Sequence, residues 1–328
     1  MTIDTINKML DYLDTIPFIG KAARAVSKAV RRIFIKEKKK QGVHYPFLHH
    51  TLTIPRGETL ESLYHLLDSY RFEYDKTGEF TNYLREDFKR FLYTLSLIPP
   101  DTAGALLEIG GNPYFTSTLV KKFTKYSLVC TNFFGDQSGK YSERKSSKND
   151  GEMVFEYYNN NIEKEELPFP PGSFDVILFC EVIEHLTMDP LYALINIHRV
   201  LKKGGTLILT TPNVNRLYNV ASILAGININ DTYSGYGIYG RHNREYSKNE
   251  LIGILNHAGF DIETMFCSDV EDLNSANSVY SVRKILRLVK FQKEYLGKYF
   301  FIKAKKTREP NTLKPRWFYR SYDESELC

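Results

Sequence analysis

Two histidines stand among charged neighbours in a way that suits proton transfer. His185 closes the run Glu181-Val-Ile-Glu184-His185, one helical turn past the apolar stretch Asp175–Cys180. An imidazole with carboxylates beside it is a candidate general base near neutral pH. Its plainer alternative is to cap or pack the start of the next helix. His242 is the rival, in Gly240-Arg-His-Asn-Arg-Glu245. Arg241 and Arg244 suit a phosphate or carboxylate fork, and Tyr233, Tyr236 and Tyr239 offer flat aromatic faces just upstream. Here the plainer alternative is a loop folded on itself by an Arg–Glu pair. The spacing of Glu181, Glu184, His185 and His242 specifies no metal ion, and none is expected. A third constellation is Leu106–Phe115, LLEIGGNPYF. A strand ends in Glu108 and runs into Gly110-Gly111 before a helix, so a ligand can approach the backbone closely there.

Elements of alternating type must hold these residues. Ala105–Ile109, Ser127–Thr131, Asp175–Cys180 and Thr206–Thr211 read as buried strands, with helices over Thr116–Tyr126 and Pro190–Leu201 between them. Such alternation implies parallel βαβ units covered on both faces. Ser247-Lys-Asn-Glu250 reads as a capping box that opens a helix through His257, and Gly259 closes it. Asp261–Cys267 and Tyr299–Ala304 are the last strands, the latter expected as an antiparallel edge. Upstream, residues 58–98 read as two helices broken near Thr77-Gly78.

Three pieces in order are LLEIGGNPYF, LPFPPGSFD leading into VILFCEVIEHL, and RVLKKGGT leading into LILTTPN. Together they resemble the class I S-adenosylmethionine-dependent methyltransferases over about residues 80–305. The loop YSGYGIYGRHNREY, with NNNIEKEELPFPPGSFD and TTPNVNR, is most similar to methyltransferases of surface-glycan (polysaccharide) biosynthesis. The resemblance implies an α/β fold: a doubly wound, mostly parallel seven-stranded Rossmann-like sheet with an N-terminal helical extension. It also implies S-adenosyl-L-methionine as cofactor. Carried over by position, Glu108, Gly110, Gly111 and Asn112 line the methionine end. Asn132 faces the ribose where an acidic residue is usual, and Asn161-Ile162 flank the adenine. Glu181 lies beside the cofactor–acceptor junction. His185, Glu184 and His242 become the catalytic group, activating a sugar hydroxyl that is a poor nucleophile until it loses its proton. Tyr233, Tyr236, Tyr239, Arg241 and Arg244 become acceptor contacts. The expected reaction is O-methylation of a sugar hydroxyl in a surface glycan or its lipid-linked precursor. The alternatives are a quinone-like lipophilic acceptor, which needs no arginine pair, and a non-catalytic scaffold of the same fold.

Charge is segregated along the chain. Residues 1–50 carry ten Lys/Arg against four Asp/Glu, and residues 283–328 carry thirteen against five. The middle is net acidic, which speaks against a central nucleic-acid groove and for anionic partners of the ends. The chain accordingly divides into a basic amphipathic extension (1–56), a methyltransferase domain (57–306) and a basic tail (307–328). The domain includes a helical lead-in (57–100) and an acceptor loop (213–247). Residues 16–40 form an amphipathic pattern suited to an anionic membrane surface, or to packing on a neighbour. Cys130, Cys180, Cys267 and Cys328 lack metal-ligand spacing. Without a cleavable leader pattern or a membrane-length apolar run, a cytoplasmic enzyme is expected, peripheral on the inner face of the membrane.

Overall fold

The computed structural model describes residues 51–72, 78–100, 103–135, 139–147, 151–270 and 295–328. The amphipathic pattern at 16–40, and nearly all of the 1–56 extension, lie outside them. The described strands are β1 (Gly104–Ile109), β2 (Tyr126–Asn132), β3 (Gly139–Ser147), β4 (Gly151–Asn159), β5 (Phe174–Cys180), β6 (Leu201–Pro212), β7 (Phe260–Ser268) and β8 (Tyr299–Lys306). The helices are α1 (Leu60–Ser69), α2 (Glu79–Leu97), α3 (Phe115–Phe123), α4 (Pro190–Val200), α5 (Leu217–Leu224) and α6 (Lys248–His257).

The strands form one sheet in the order β3-β4-β2-β1-β5-β6-β8-β7. The five central strands are parallel, and β3, β7 and β8 run antiparallel to their neighbours. The doubly wound α/β fold is therefore present, with eight strands instead of the expected seven. The extra strand is β3, which pairs with β4 as a hairpin. A second correction concerns β8, which was expected at the edge. It lies inside the sheet between β6 and β7, leaving β7 at the rim.

Period-two alternation assigns each strand's side chains to two cores. Leu107 and Ile109 of β1 join Ile177 and Phe179 of β5, Leu207 and Leu209 of β6, and the apolar sides of α4 and α6. Leu106, Val176, Leu178 and Ile208 face the other way, onto α1, α2 and α3. Fully buried strands in the middle of a parallel sheet read as continuous apolar runs for this reason. Local signals set the helix starts. Thr59 caps α1, Asp189 caps α4, and Ser247 and Glu250 form the expected capping box on α6.

Residues 307–328 are not a basic tail in their own right. Four Lys/Arg are matched by four Asp/Glu within them, and the segment folds back onto α4 and α6. The Tyr319 hydroxyl donates to Asp189 at 2.7 Å and accepts from the Leu191 amide at 3.0 Å. Lys314 pairs with the same Asp189, at 3.3 Å. No described helix is long and apolar enough to cross a membrane.

Candidate active site

The carboxyl ends of the parallel strands gather the chemistry-bearing residues at one edge. Strand order reverses at β1, with β2 on one side and β5 on the other, the place where doubly wound sheets open a crevice for ligands. Gly110 turns there with φ +73, a conformation that suits glycine. A Cβ on Gly110 would come within 2.7 Å of Val182 Cγ2. The β1 turn therefore abuts the segment after β5, which carries Glu181, Glu184 and His185. Gly111 is buried against Cys130 and Tyr114, where an added Cβ would sit 3.2 Å from Cys130 Sγ.

Glu108 points toward α3 because it shares a face with Leu106, and the Ser117 hydroxyl donates to its carboxylate. Burial pushes the Glu108 carboxyl up to about 8, against the opposing pull of that hydrogen bond and of the Arg90 charge. Asn132 closes β2 but is 4% exposed, and its side chain is engaged within the protein. Its Oδ1 accepts from the Asn112 amide at 3.0 Å, and its Nδ2 donates to the Tyr114 hydroxyl at 2.7 Å. Glu143 of β3 accepts from that same hydroxyl and from Asn112 Nδ2 at 3.2 Å. The inserted hairpin thus delivers a carboxylate next to the strand end that lacks one. Asn161 and Ile162 are buried beyond β4, and Asn161 Nδ2 donates to the Tyr239 hydroxyl at 3.2 Å.

After β5 the chain divides its acids between the two faces of the sheet. Glu181 has φ +55, an uncommon backbone conformation for a residue with a side chain. Its carboxylate accepts from Thr210 Oγ1 at 2.8 Å and lies 3.8 Å from Arg90 Nη1. Burial raises its pKa while Arg90 opposes the rise. Glu184, in the 3₁₀ turn Ile183–His185, faces the opposite core and accepts from Thr211 Oγ1 at 2.9 Å. It is fully buried, and burial lifts its carboxyl to about 8, with repulsion from Glu181 adding to the rise.

The Tyr/Gly loop closes over this turn. Asn243 and Arg244 amides donate to the Glu184 carbonyl at 2.8 and 3.1 Å. His185 Nδ1 lies 2.9 Å from the Arg241 carbonyl. A carbonyl only accepts, so Nδ1 carries the proton. His242 comes edge-on to His185 with ring centroids 5.0 Å apart. Its Nδ1 is 3.0 Å from Glu245, which is paired in turn with Arg216. Burial lowers the pKa of His185, and the nearby His242 charge lowers it further. Burial also acts downward on His242, but the Glu245 hydrogen bond and the Glu184 and Asp231 carboxylates outweigh it and raise the pKa.

The site residues expected from sequence divide into those drawn together and those sent elsewhere. His185, Glu184 and His242 meet, and Glu181 stands beside them on the other face. Tyr239 is tied to the cofactor side, donating to Glu163 at 3.1 Å. Tyr233 and Tyr236 are 92% and 81% exposed, and the Arg241 guanidinium lies over the Tyr233 ring at 4.7 Å. Arg244 points away toward the tail, paired with Glu250 and 5.0 Å over the Phe318 ring.

Two further groups were not singled out from sequence. Glu163, 6% exposed, accepts from the Thr187 and Asp189 amides at 2.6 and 3.1 Å, and also from the Met188 amide, fixing the chain after His185. Arg90 of α2 is buried between Asp87 at 3.6 Å and Glu181, and it donates to the Tyr83 hydroxyl. The asparagine-rich run before Glu163 pointed to that loop. A charged residue within an otherwise apolar helix stripe was the available sign of Arg90.

The fold is a doubly wound α/β sheet whose chemistry-bearing residues gather at the β1 switch point. Residues 107–209, from β1 into β6, match a family model described as a methyltransferase domain. The chain carries that domain and is an S-adenosylmethionine-dependent methyltransferase. Among solved structures it is similar to a SAM-dependent methyltransferase from Archaeoglobus fulgidus (17% identity, 70% of this chain and 100% of that one, TM-score 0.44). It is also similar to one from Mesorhizobium loti (12%, 65% and 95%, 0.39). A third is Haemonchus contortus phosphoethanolamine N-methyltransferase 2, in complex with phosphomonomethylethanolamine and S-adenosylhomocysteine (18%, 75% and 61%, 0.41). Likeness at this level fixes neither acceptor nor site residue. The curated proteins give no match.

The crevice suits the cofactor at its methionine end. The Gly110 turn is exposed and too close to Val182 for a side chain, with Glu108 buried beneath it. The Asn132 side chain, expected to face the ribose, is spent on Asn112 and Tyr114.

Proposed function

We propose that this enzyme transfers a methyl group to a hydroxyl of a sugar in a surface glycan or its lipid-linked precursor. The observation that carries the reading is the Glu184–His185–His242 cluster beside the Gly110 turn, under a loop rich in exposed tyrosine. S-adenosylmethionine supplies an activated methyl group on a sulfonium sulfur. Glu108, Gly110, Gly111 and Asn112 hold its methionine end, Asn132, Asn161 and Ile162 flank the nucleoside, and Glu181 borders the acceptor. The Arg241 carbonyl fixes the His185 tautomer so that Nε2 receives the acceptor proton, and Glu184 and His242 set the field around it. Holding donor and acceptor in line contributes a large part of the rate.

Tyr233 and Tyr236 offer faces on which sugars stack, and Arg241 offers charge for a phosphate. Tyr239 and Arg244 act from behind, tying the loop to Glu163 and Glu250. Helix α5 leaves Tyr218, Ile223 and Leu224 59–63% exposed, which favours an acceptor carrying a lipid over a free sugar. The basic 1–50 segment would keep the enzyme beside an anionic membrane surface.

The test is a methyl-transfer screen over lipid-linked sugars, free glycans and quinones, run with wild type and His185→Ala. Transfer to a sugar hydroxyl, with turnover lost in the variant and S-adenosylhomocysteine affinity kept, is the expected result. Transfer to a quinone alone, or equal turnover in the variant, contradicts the reading.

A further inference from the structure

We propose that Glu184, His185 and His242 together bind one divalent transition-metal ion. One carboxylate oxygen and one ring nitrogen from each histidine lie within 4.8 Å of one another. They come from two separate segments, the 3₁₀ turn after β5 and the loop that folds over it.

The surroundings of each ligand match those of a metal site. Metal-binding histidines usually place their other ring nitrogen on a carbonyl or carboxylate, which fixes ring and tautomer. Both histidines do so here: His185 Nδ1 meets the Arg241 carbonyl at 2.9 Å and His242 Nδ1 meets Glu245 at 3.0 Å. Arg216 secures Glu245 in turn. An ion would take the other nitrogen of each ring.

The independent observation is Glu184 itself. Its side chain is fully buried and Oε2 is satisfied by Thr211, but Oε1 is buried without a hydrogen-bond partner. A bare buried carboxylate oxygen is costly to keep, and a cation removes that cost. Two imidazoles and one carboxylate suit zinc, iron(II), cobalt(II) or manganese(II) better than magnesium or calcium, which prefer oxygen alone. Three protein ligands leave at least one position open, as at catalytic sites.

The role of the ion rests on the reading above and deepens it, whereas its binding does not depend on that reading. An acceptor hydroxyl meeting the ion has its pKa lowered and loses its proton to solvent. The oxygen then takes the methyl group: the new O–C bond forms, the C–S bond breaks, and its electron pair stays on sulfur. His185 serves as a ligand in that arrangement, and the ion takes over the work assigned to its Nε2.

The full chain, stripped with a chelator and dialysed, is titrated calorimetrically with Zn²⁺ and separately with Co²⁺ and Mn²⁺. One ion per chain is expected. Glu184→Gln and His242→Gln should each weaken binding at least about tenfold, and Glu245→Gln by about 10–100-fold. S-adenosylhomocysteine binding by each variant reports that it has folded. Wild type that binds S-adenosylhomocysteine but none of the three ions overturns the inference, as does unchanged ion affinity in folded variants. Stoichiometric ion binding lost in the variants upholds it even if no sugar acceptor is found, so the two proposals fail separately.

Discussion

Single residues carry the strongest electrostatic signatures of this enzyme. Glu108 is neutral in the folded and unfolded chain at low pH. Between its ordinary value of 4.5 and about 8 the unfolded chain ionises while the buried carboxyl does not. The folded state then holds the extra proton, so this residue's share of stability is lost as pH rises through that window. Glu108→Gln keeps an acceptor for Ser117 and removes the titration, so stability should fall less steeply with pH than in wild type. Urea midpoints at about pH 5 and about pH 8 measure the difference; parallel slopes would mean that Glu108 ionises normally. The glycine pair and the EVIEH run were legible in the sequence because a turn at a strand end needs small residues and a histidine beside acids stands out. The occupation of Asn132 was not, because its partners Asn112 and Tyr114 lie about twenty residues away and are linked to Glu143 of a third segment.

At the scale of elements, α2 does more than cover the sheet. Its apolar stripe, Leu84, Phe88, Phe91, Leu92 and Leu95, was readable from periodicity. Asp87 and Arg90 are nevertheless as buried as the stripe. Periodicity identifies a buried face but not an ion pair enclosed in it. Arg90→Ala would leave the buried Glu181 without its cation and Asp87 with Lys298 alone, and we expect a loss of about 3–5 kcal/mol. Denaturant unfolding checks this, and a loss below about 1 kcal/mol would show that the acids find other partners. Strand β3 went unread for the opposite reason. Its sequence GKYSERKSS has no apolar alternation, and only Lys145 and Ser147 are buried. Its pairing with β4 is what makes it a strand.

Across the whole molecule, a parallel sheet with a core on each face carries the ligand crevice at one edge, and the C-terminal segment braces the α4 side. That bracing had no sequence signal, since residues 307–328 lack periodicity and their contacts lie from 46 to 130 residues away. Tyr319 is its anchor, and Tyr319→Phe would leave the buried Leu191 amide without its acceptor. A loss of about 1–3 kcal/mol in urea unfolding is expected; unchanged stability would show that the segment is not docked. The alternation of strands and helices, by contrast, announced the parallel βαβ core, while the β3–β4 hairpin and the inward place of β8 went unread.

On this reading the β1 switch point of the molecule is a working cofactor site. Calorimetric titration with S-adenosylhomocysteine, wild type beside Gly110→Arg, tests it most directly. The arginine has to enter a left-handed turn and displace Val182, so it should fill the crevice while the distant core stays folded. Saturable one-to-one binding by wild type, absent in the folded variant, is the predicted result. No binding by folded wild type, or equal binding by both proteins, would contradict it.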